Sequence, residues 1–480
     1  MKRKYSIRRS AFFLIGLLVF IVVSGCQFTA TPADLLQGPR STPDGAALTA
    51  AVQRELPARA KLSLAMQESS NTAVLKMDVD GDGQPEALVT YADEGSNQHV
   101  LVLRNVNGAW RKWFIFAETS SYGIDVLRTT DLDRDGEPEL LIGWNQYGEP
   151  KHMLTLYHVP VNTDEVNVPK PIAELPYDTM GIGDGQGDGR PELALIKLQR
   201  DKMQASIGIY QFAANQVQKV GAAELDGSVN DYLQVRLGKV SPDRYGIIAD
   251  ASIGANSSTT TMLAWEAGKL VQVYPPRATG DDQVQINART QLSGDRNGDD
   301  ILDLTMLREA PGQSEGVAYS DLLWIEQYRQ WDGHSYFSVV GQQYVDPNQT
   351  YAVTIPDSWS NYTFSRLKDG SDSDVALDAF DPVKGLHKEI LALRVIPIAE
   401  WSKEEHQLNE DGSRYLELET QGGLVYVAIW NEMAASGKDS ADTESASDSD
   451  GDEQQARKLT GVFPPDEAEM KQLFKLLPEA

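Results

Sequence analysis

Short apolar runs, rich in Val, Leu, Ile, Trp and Tyr and bounded by Gly, Asn and Asp, fill most of this chain and predict strands rather than helices. Thr72–Met77, Glu86–Tyr91, His99–Arg104 and Trp110–Phe116 make a first group, with a turn at Asn107-Gly108 between the last two. The rhythm recurs in Ile124–Thr129, Glu139–Trp144 and His152–His158, and again in Thr260–Trp265 and Lys269–Tyr274. After Val345 it stops. Tyr351–Ile355, Ile390–Pro397, Tyr415–Glu419 and Leu424–Trp430 still predict strands, joined by a helix near Glu400–His406. A last helix is predicted over Asp466–Leu477, with Met470, Leu473, Phe474 and Leu477 at core-facing spacing, and a short one over Ala46–Glu55.

The polar positions repeat as well. Asp78-Val-Asp80-Gly-Asp82-Gly83-Gln-Pro-Glu86 is matched by Asp131-Leu-Asp133-Arg-Asp135-Gly136-Glu-Pro-Glu139. It is matched again by Asp184-Gly-Gln186-Gly-Asp188-Gly189-Arg-Pro-Glu192 and by Asp295-Arg-Asn297-Gly-Asp299-Asp300-Ile-Leu-Asp303. The starts lie 53, 53 and 111 residues apart, and the double gap predicts a decayed copy midway. Gly238-Lys-Val-Ser-Pro-Asp243-Arg-Tyr-Gly246, before Ile247-Ile248, fits that place with its carboxylates gone. Five units thus run from about Thr72 to Val345. A four-stranded sheet cannot bury both faces alone, so the units must stack, and radial stacking makes a propeller.

Period and loop together resemble the FG-GAP or VCBS-type repeats of integrin-α-like propellers, over roughly residues 70–345. The fold class that follows is mainly β: a β-propeller of about five four-stranded blades, then a small α+β C-terminal domain. The expected domains are 1–25 (signal), 26–70 (tether with a short helix), 71–346 (propeller) and 347–480. The last is similar to C-terminal modules of other exported bacterial proteins, which implies no activity.

Acids at loop positions one, three and five converge when a tight turn wraps the backbone, and the Gly at position six permits the left-handed conformation of that turn. Crowded carboxylates need a cation, and hard oxygen donors with flexible geometry suit Ca²⁺. An EF-hand is excluded, because its twelfth-position Glu would fall at Val89 and the flanks read as strands. The family resemblance implies that the ligands are the side chains at positions one, three, five and nine. These are Asp78, Asp80, Asp82 and Glu86; Asp131, Asp133, Asp135 and Glu139; Asp184, Gln186, Asp188 and Glu192; and Asp295, Asn297, Asp299 and Asp303. The Asp at position 300 stands where Gly is expected.

The N-terminus changes the picture of where the protein works. Lys2, Arg3, Lys4, Arg8 and Arg9 precede the apolar run Ala11–Val23, which is too short for a spanning helix of ~20 residues. It ends in Val23-Ser24-Gly25-Cys26, which resembles the bacterial lipobox. That resemblance implies cleavage before Cys26, a diacylglycerol on its thiol and acylation of its amine. The expected location is extracytoplasmic, anchored by lipid to the bacterial cell membrane. Cys26 is the single cysteine, so no disulfide framework exists. The signal holds five of the 43 basic residues and no acid; 38 basic against 70 acidic residues remain, a net charge of −32. Such a surface repels nucleic acid and anionic lipid. Ser436–Glu453 is Ser- and Asp-rich and predicts a disordered insert over 436–455.

No catalytic constellation stands out. Gly312-Gln-Ser314-Glu-Gly316 matches a nucleophile elbow but lies between two strands, where that motif needs a strand-to-helix turn. The six histidines are scattered, and Gly183-Asp-Gly-Gln-Gly187 is part of an acidic loop. The leading expectation is a non-catalytic, calcium-stabilised propeller binding an envelope protein or glycan. A glycan hydrolase or lyase on the same scaffold, and an envelope accessory or sensor protein, are the alternatives. Cys26→Ser should release the protein from membranes or leave an unprocessed precursor. A correctly cleaved variant that still sediments with membranes would refute the anchor.

Overall fold

The computed structural model describes residues 43–67, 72–161, 167–213, 216–276, 286–313, 321–359, 361–367, 370–431 and 465–477. Cys26, the signal, most of the tether, the acidic insert and part of the Gly312–Gly316 motif lie outside the described residues. The chain is mainly β, with six antiparallel sheets of four or five strands among the described residues.

Each of the five predicted units forms one sheet, its strands paired in chain order. The first contains β1 (Lys61–Leu62), β2 (Val74–Met77), β3 (Glu86–Ala92), β4 (Gln98–Val106) and β5 (Ala109–Glu118), with β1 and β2 sharing the free side of β3. The second contains β6 (Ser121–Thr130), β7 (Glu139–Gln146), β8 (His152–His158) and β9 (Ala173–Tyr177). The third contains β10 (Thr179–Gly183), β11 (Glu192–Gln199), β12 (Gln204–Ala213) and β13 (Gln216–Asp226). The fourth contains β14 (Asp231–Ser241), β15 (Arg244–Ile253), β16 (Ser257–Glu266) and β17 (Lys269–Tyr274). The fifth contains β18 (Leu304–Glu309), β19 (Trp324–Trp331), β20 (Phe337–Val345) and β21 (Tyr351–Thr354).

The residues beyond build a sixth sheet from β22 (Tyr362–Arg366), β23 (Val375–Asp381), β24 (Leu386–Pro397), β25 (Tyr415–Gln421) and β26 (Leu424–Trp430), in the order β22-β23-β24-β26-β25. The expected boundary at 346/347 falls between β20 and β21, which pair within one sheet. Tyr344 and Tyr351 of the fifth sheet also share a core with Phe364, Leu377 and Trp430 of the sixth.

In each of the first four units one strand (β3, β7, β11 and β15) reads as a largely apolar run because both its faces are covered. In β3, Ala87, Val89 and Tyr91 face helix α1 (Pro43–Glu55), while Leu88 faces the second sheet. Every consecutive pair of sheets shares a core cluster in this way. Burying one such Leu or Ile side chain contributes ~1.5–3 kcal/mol. The two end sheets are closed by helices: α1 covers the outer face of the first, and α2 (Ile398–Glu410) sets Trp401 against Ile396, Val425 and Val427 of the sixth. Among the described residues no core cluster joins the sixth sheet to the first.

Two expectations change. The last helix, α3 (Glu467–Leu473), stops short of Leu477, and Phe474–Leu476 becomes strand β27 along β21. Phe474 stacks on Tyr351 with ring centroids 5.5 Å apart, so edge pairing with the fifth sheet overrides helical periodicity there. In the fourth unit the acidic loop has not decayed by substitution but is absent. Pro242 and Asp243 form a tight hairpin closed by the Ser241–Arg244 pair.

The third and fourth sheets meet so closely that a Cβ on Gly181 would lie 2.2 Å from the Val235 carbonyl oxygen. Gly181→Ala should therefore destabilise the protein by roughly 1–3 kcal/mol in urea unfolding. Gly238→Ala, whose Cβ would meet only Leu302 at 3.6 Å, should change stability by less than about 1 kcal/mol.

Candidate metal centres

Three acidic loops join β2 to β3, β6 to β7 and β10 to β11, the one at 295–303 leads into β18, and each is closed by an antiparallel pair between the residue before position one and position nine. Those pairs are Met77–Glu86, Thr130–Glu139, Gly183–Glu192 and Gly294–Asp303. Position nine thus stands at the entrance of β3, β7, β11 and β18. Glu86 and Glu139 are 2% exposed, and Glu192 and Asp303 are fully buried.

Backbone N–H groups hold the acids in a common scheme. The position-one carboxylate accepts from position six: Gly83 on Asp78 at 2.8 Å, Gly136 on Asp131 at 3.0 Å, Gly189 on Asp184 at 2.8 Å and Asp300 on Asp295 at 3.0 Å. Position five accepts from position seven, and position nine from position two, as in Val79 on Glu86 at 3.2 Å and Leu132 on Glu139 at 2.8 Å. Position six has positive φ in all four loops: Gly83, Gly136, Gly189 and, at +63°, Asp300. Position four does too, as Gly81, Arg134, Gly187 and Gly298. That second constraint escaped the sequence reading, although Gly recurs there in three of the four copies.

The loops stand side by side. A Cβ on Gly81 would meet Pro138 at 3.0 Å, and one on Gly189 would meet the Arg134 guanidinium at 3.0 Å. In three loops carboxylate oxygens lie within 4.8 Å of one another: Asp78, Asp80 and Glu86; Asp131, Asp133 and Glu139; Asp184, Asp188 and Glu192. Asp82 and Asp135 fall outside these groups, their oxygens turned to the N–H of Gln84 and Glu137. Gln186 directs its amide nitrogen to Glu192 at 3.2 Å, and Asn297 directs its own to Asp299 at 3.0 Å. Among the described residues Asp295, Asp299 and Asp303 form no such group. In the second loop Asp131 Oδ1 is buried and accepts no hydrogen bond, the signature of a donor set that suits a hard divalent cation.

Crowding shows in the acidities. Burial raises the carboxyls of Glu86 and Glu139 to about 7, against the opposing N–H of Val79 and Leu132, and the three aspartates of each loop add to the rise. Burial likewise raises Glu192, and it raises Asp303 to about 6. Without metal, a carboxyl of ordinary value 4.5 that titrates near 7 when folded binds its proton more tightly in the native state. Its contribution is complete below the unfolded value and is lost as pH rises through about 7. Chelated protein should therefore melt at higher temperature at about pH 5 than at about pH 8. The double variant Glu86→Gln, Glu139→Gln should flatten this dependence in thermal denaturation. Equal slopes for variant and wild type would refute the assignment.

Residues 78–142, spanning the first two loops and their strands, match the FG-GAP-like repeat family. No curated protein matches the chain by sequence. Among solved structures, the exotype rhamnogalacturonan lyase YesX is similar at 11% identity with a TM-score of 0.26, the alignment covering 69% of this chain and 65% of the lyase. Sqt1 of Saccharomyces cerevisiae aligns at 8% identity, over 72% of this chain and 84% of its own, with a TM-score of 0.29. The β-propeller domain of the Trilobed protease from Pyrococcus furiosus aligns at 11% identity, over 68% and 90%, with a TM-score of 0.26. Likeness at that level fixes neither topology nor activity. What the chain shares demonstrably with a known family is the repeat unit around its first two acidic loops.

Proposed function

We propose that this chain is a non-catalytic, lipid-anchored, extracytoplasmic scaffold, held in shape by calcium at its acidic loops, that binds an envelope protein or glycan. In this reading the five repeat sheets are the blades of a propeller-like body. The observation that carries the reading is the acidic loop, repeated with one register and one hydrogen-bond scheme, whose carboxylates converge in the first two units and in the second leave Asp131 Oδ1 buried without a donor.

A binding role is supported by an exposed aromatic pair remote from the acidic loops. Tyr122 and Tyr147 stand 48% and 81% exposed with ring centroids 5.0 Å apart, at the start of β6 and just past the end of β7. Paired aromatic faces of this kind suit the apolar face of a sugar ring or a partner side chain. A cavity of about 450 Å³ beside β21 and β26 is lined by Pro347, Asn348, Gln421, Leu424, Tyr426 and Leu476, among others, with no carboxylate, His or Arg among the described residues of its wall. It lacks the paired acids or Arg that a glycan hydrolase or lyase would need.

Millimolar calcium at a Kd of ~0.1–1 mM stabilises each occupied loop by ~1 kcal/mol. Chelation should lower the melting temperature, and calcium should restore it beyond any effect of sodium at equal ionic strength. Asp80→Ala or Asp133→Ala should remove more of that gain than Asp243→Ala, which lies in the hairpin of the fourth unit. Identical melting curves with and without chelator would end the calcium reading. Capture from the native cell envelope should weaken in Tyr122→Ala, Tyr147→Ala protein; undiminished capture would place the binding surface elsewhere.

A further inference from the structure

The four loops are not chemically equivalent, and the difference comes from a neighbouring strand. The next strand, β4, β8, β12 or β19, sets one residue opposite the position-nine acid of each loop. His158 pairs directly with Glu139. One step beyond the pairs Ala87–Leu103, Leu193–Tyr210 and Leu304–Arg329, the same register sets Arg104 against Glu86, Gln211 against Glu192 and Gln330 against Asp303.

The two glutamines reach into their loops. Gln211 Nε2 donates to Glu192 Oε1 at 2.9 Å and to Asp188 Oδ2 at 3.3 Å. Gln330 Nε2 donates to Asp299 Oδ2 at 2.8 Å and to Asp303 Oδ1 at 3.3 Å. In both loops one amide nitrogen therefore bridges positions five and nine. The remaining acceptors are matched as well. In the third loop Asp184 accepts from Gly187 and Gly189, Asp188 from the backbone and side chain of Arg190, and Glu192 from Gly185 and Gln186. In the loop of the fifth sheet Asp295 accepts from Gly298 and Asp300, Asp299 from Ile301 and Asn297, and Asp303 from Arg296. Every oxygen of these loop carboxylates thus has a protein donor, whereas the second loop leaves Asp131 Oδ1 buried and unmatched. A carboxylate already supplied with donors gains less from a cation than one without.

We infer that Gln211 and Gln330 stand in for the divalent cation, so that the loops at 184–192 and 295–303 keep their shape without metal and the calcium response resides outside them, first of all in the loop at 131–139, whose Asp131 Oδ1 has no donor. This rests on the calcium reading above and narrows it.

The test is calcium titration of the full mature chain by calorimetry, with melting curves in chelator and in calcium. Asp80→Asn, Asp133→Asn protein should bind no calcium and lose the whole calcium-dependent rise in melting temperature. Gln330→Leu, which removes the donor without adding charge, should lower the melting temperature in chelator. Gln211→Glu and Gln330→Glu should each add a calcium site and enlarge the calcium-dependent rise. Sites that persist in the double Asn variant, or a Gln330→Leu protein that melts like wild type in chelator, would overturn the inference and leave the calcium reading standing. Absence of binding in the wild type would overturn both. Should the double Asn variant fail to fold, the Gln variants still decide the matter.

Discussion

Two-sided burial of one strand in each of the first four units is the constraint on which the rest of this structure depends. In β3, β7 and β11 nearly every residue is buried, and in β15 most are, because each of these sheets is covered on both faces. Such a strand has no solvent face, so no sheet is stable alone and the units must stack. The stack then needs ends. Here α1 and α2 cover the two outward faces, the role terminal caps play in repeat arrays.

The same constraint creates the acidic sites. Position nine stands at the entrance of its strand, so its carboxylate is drawn out of water by the fold while two or three other acids crowd the preceding turn. That is costly unless a proton, a cation or a set of N–H donors compensates. The molecule uses donors everywhere: the backbone scheme is common to all four loops, and the third and fifth sheets add a glutamine amide. The fourth unit avoids the problem, since a hairpin turn replaces the loop. Sheet stacking does not require the loop, since the fourth sheet packs on both neighbours without one.

Local residue order determined much of this protein. The repeat, its five units, the strand rhythm and the loops with left-handed glycines at position six are legible because each depends on a few neighbouring residues. The helix expected over Ala46–Glu55, which extends back to Pro43, and the strands β24 to β26 were readable for the same reason. What only the tertiary structure decided involves partners distant in sequence. Phe474–Leu476 left its helix because Tyr351–Val353 offered a free edge. The C-terminal residues share the core of the fifth sheet because Tyr344 and Phe364 meet in the fold. The glutamines facing the loops lie 19 and 27 residues beyond the acids they serve. Strand register, not spacing along the chain, brings them there, and register is set only when the whole sheet pairs.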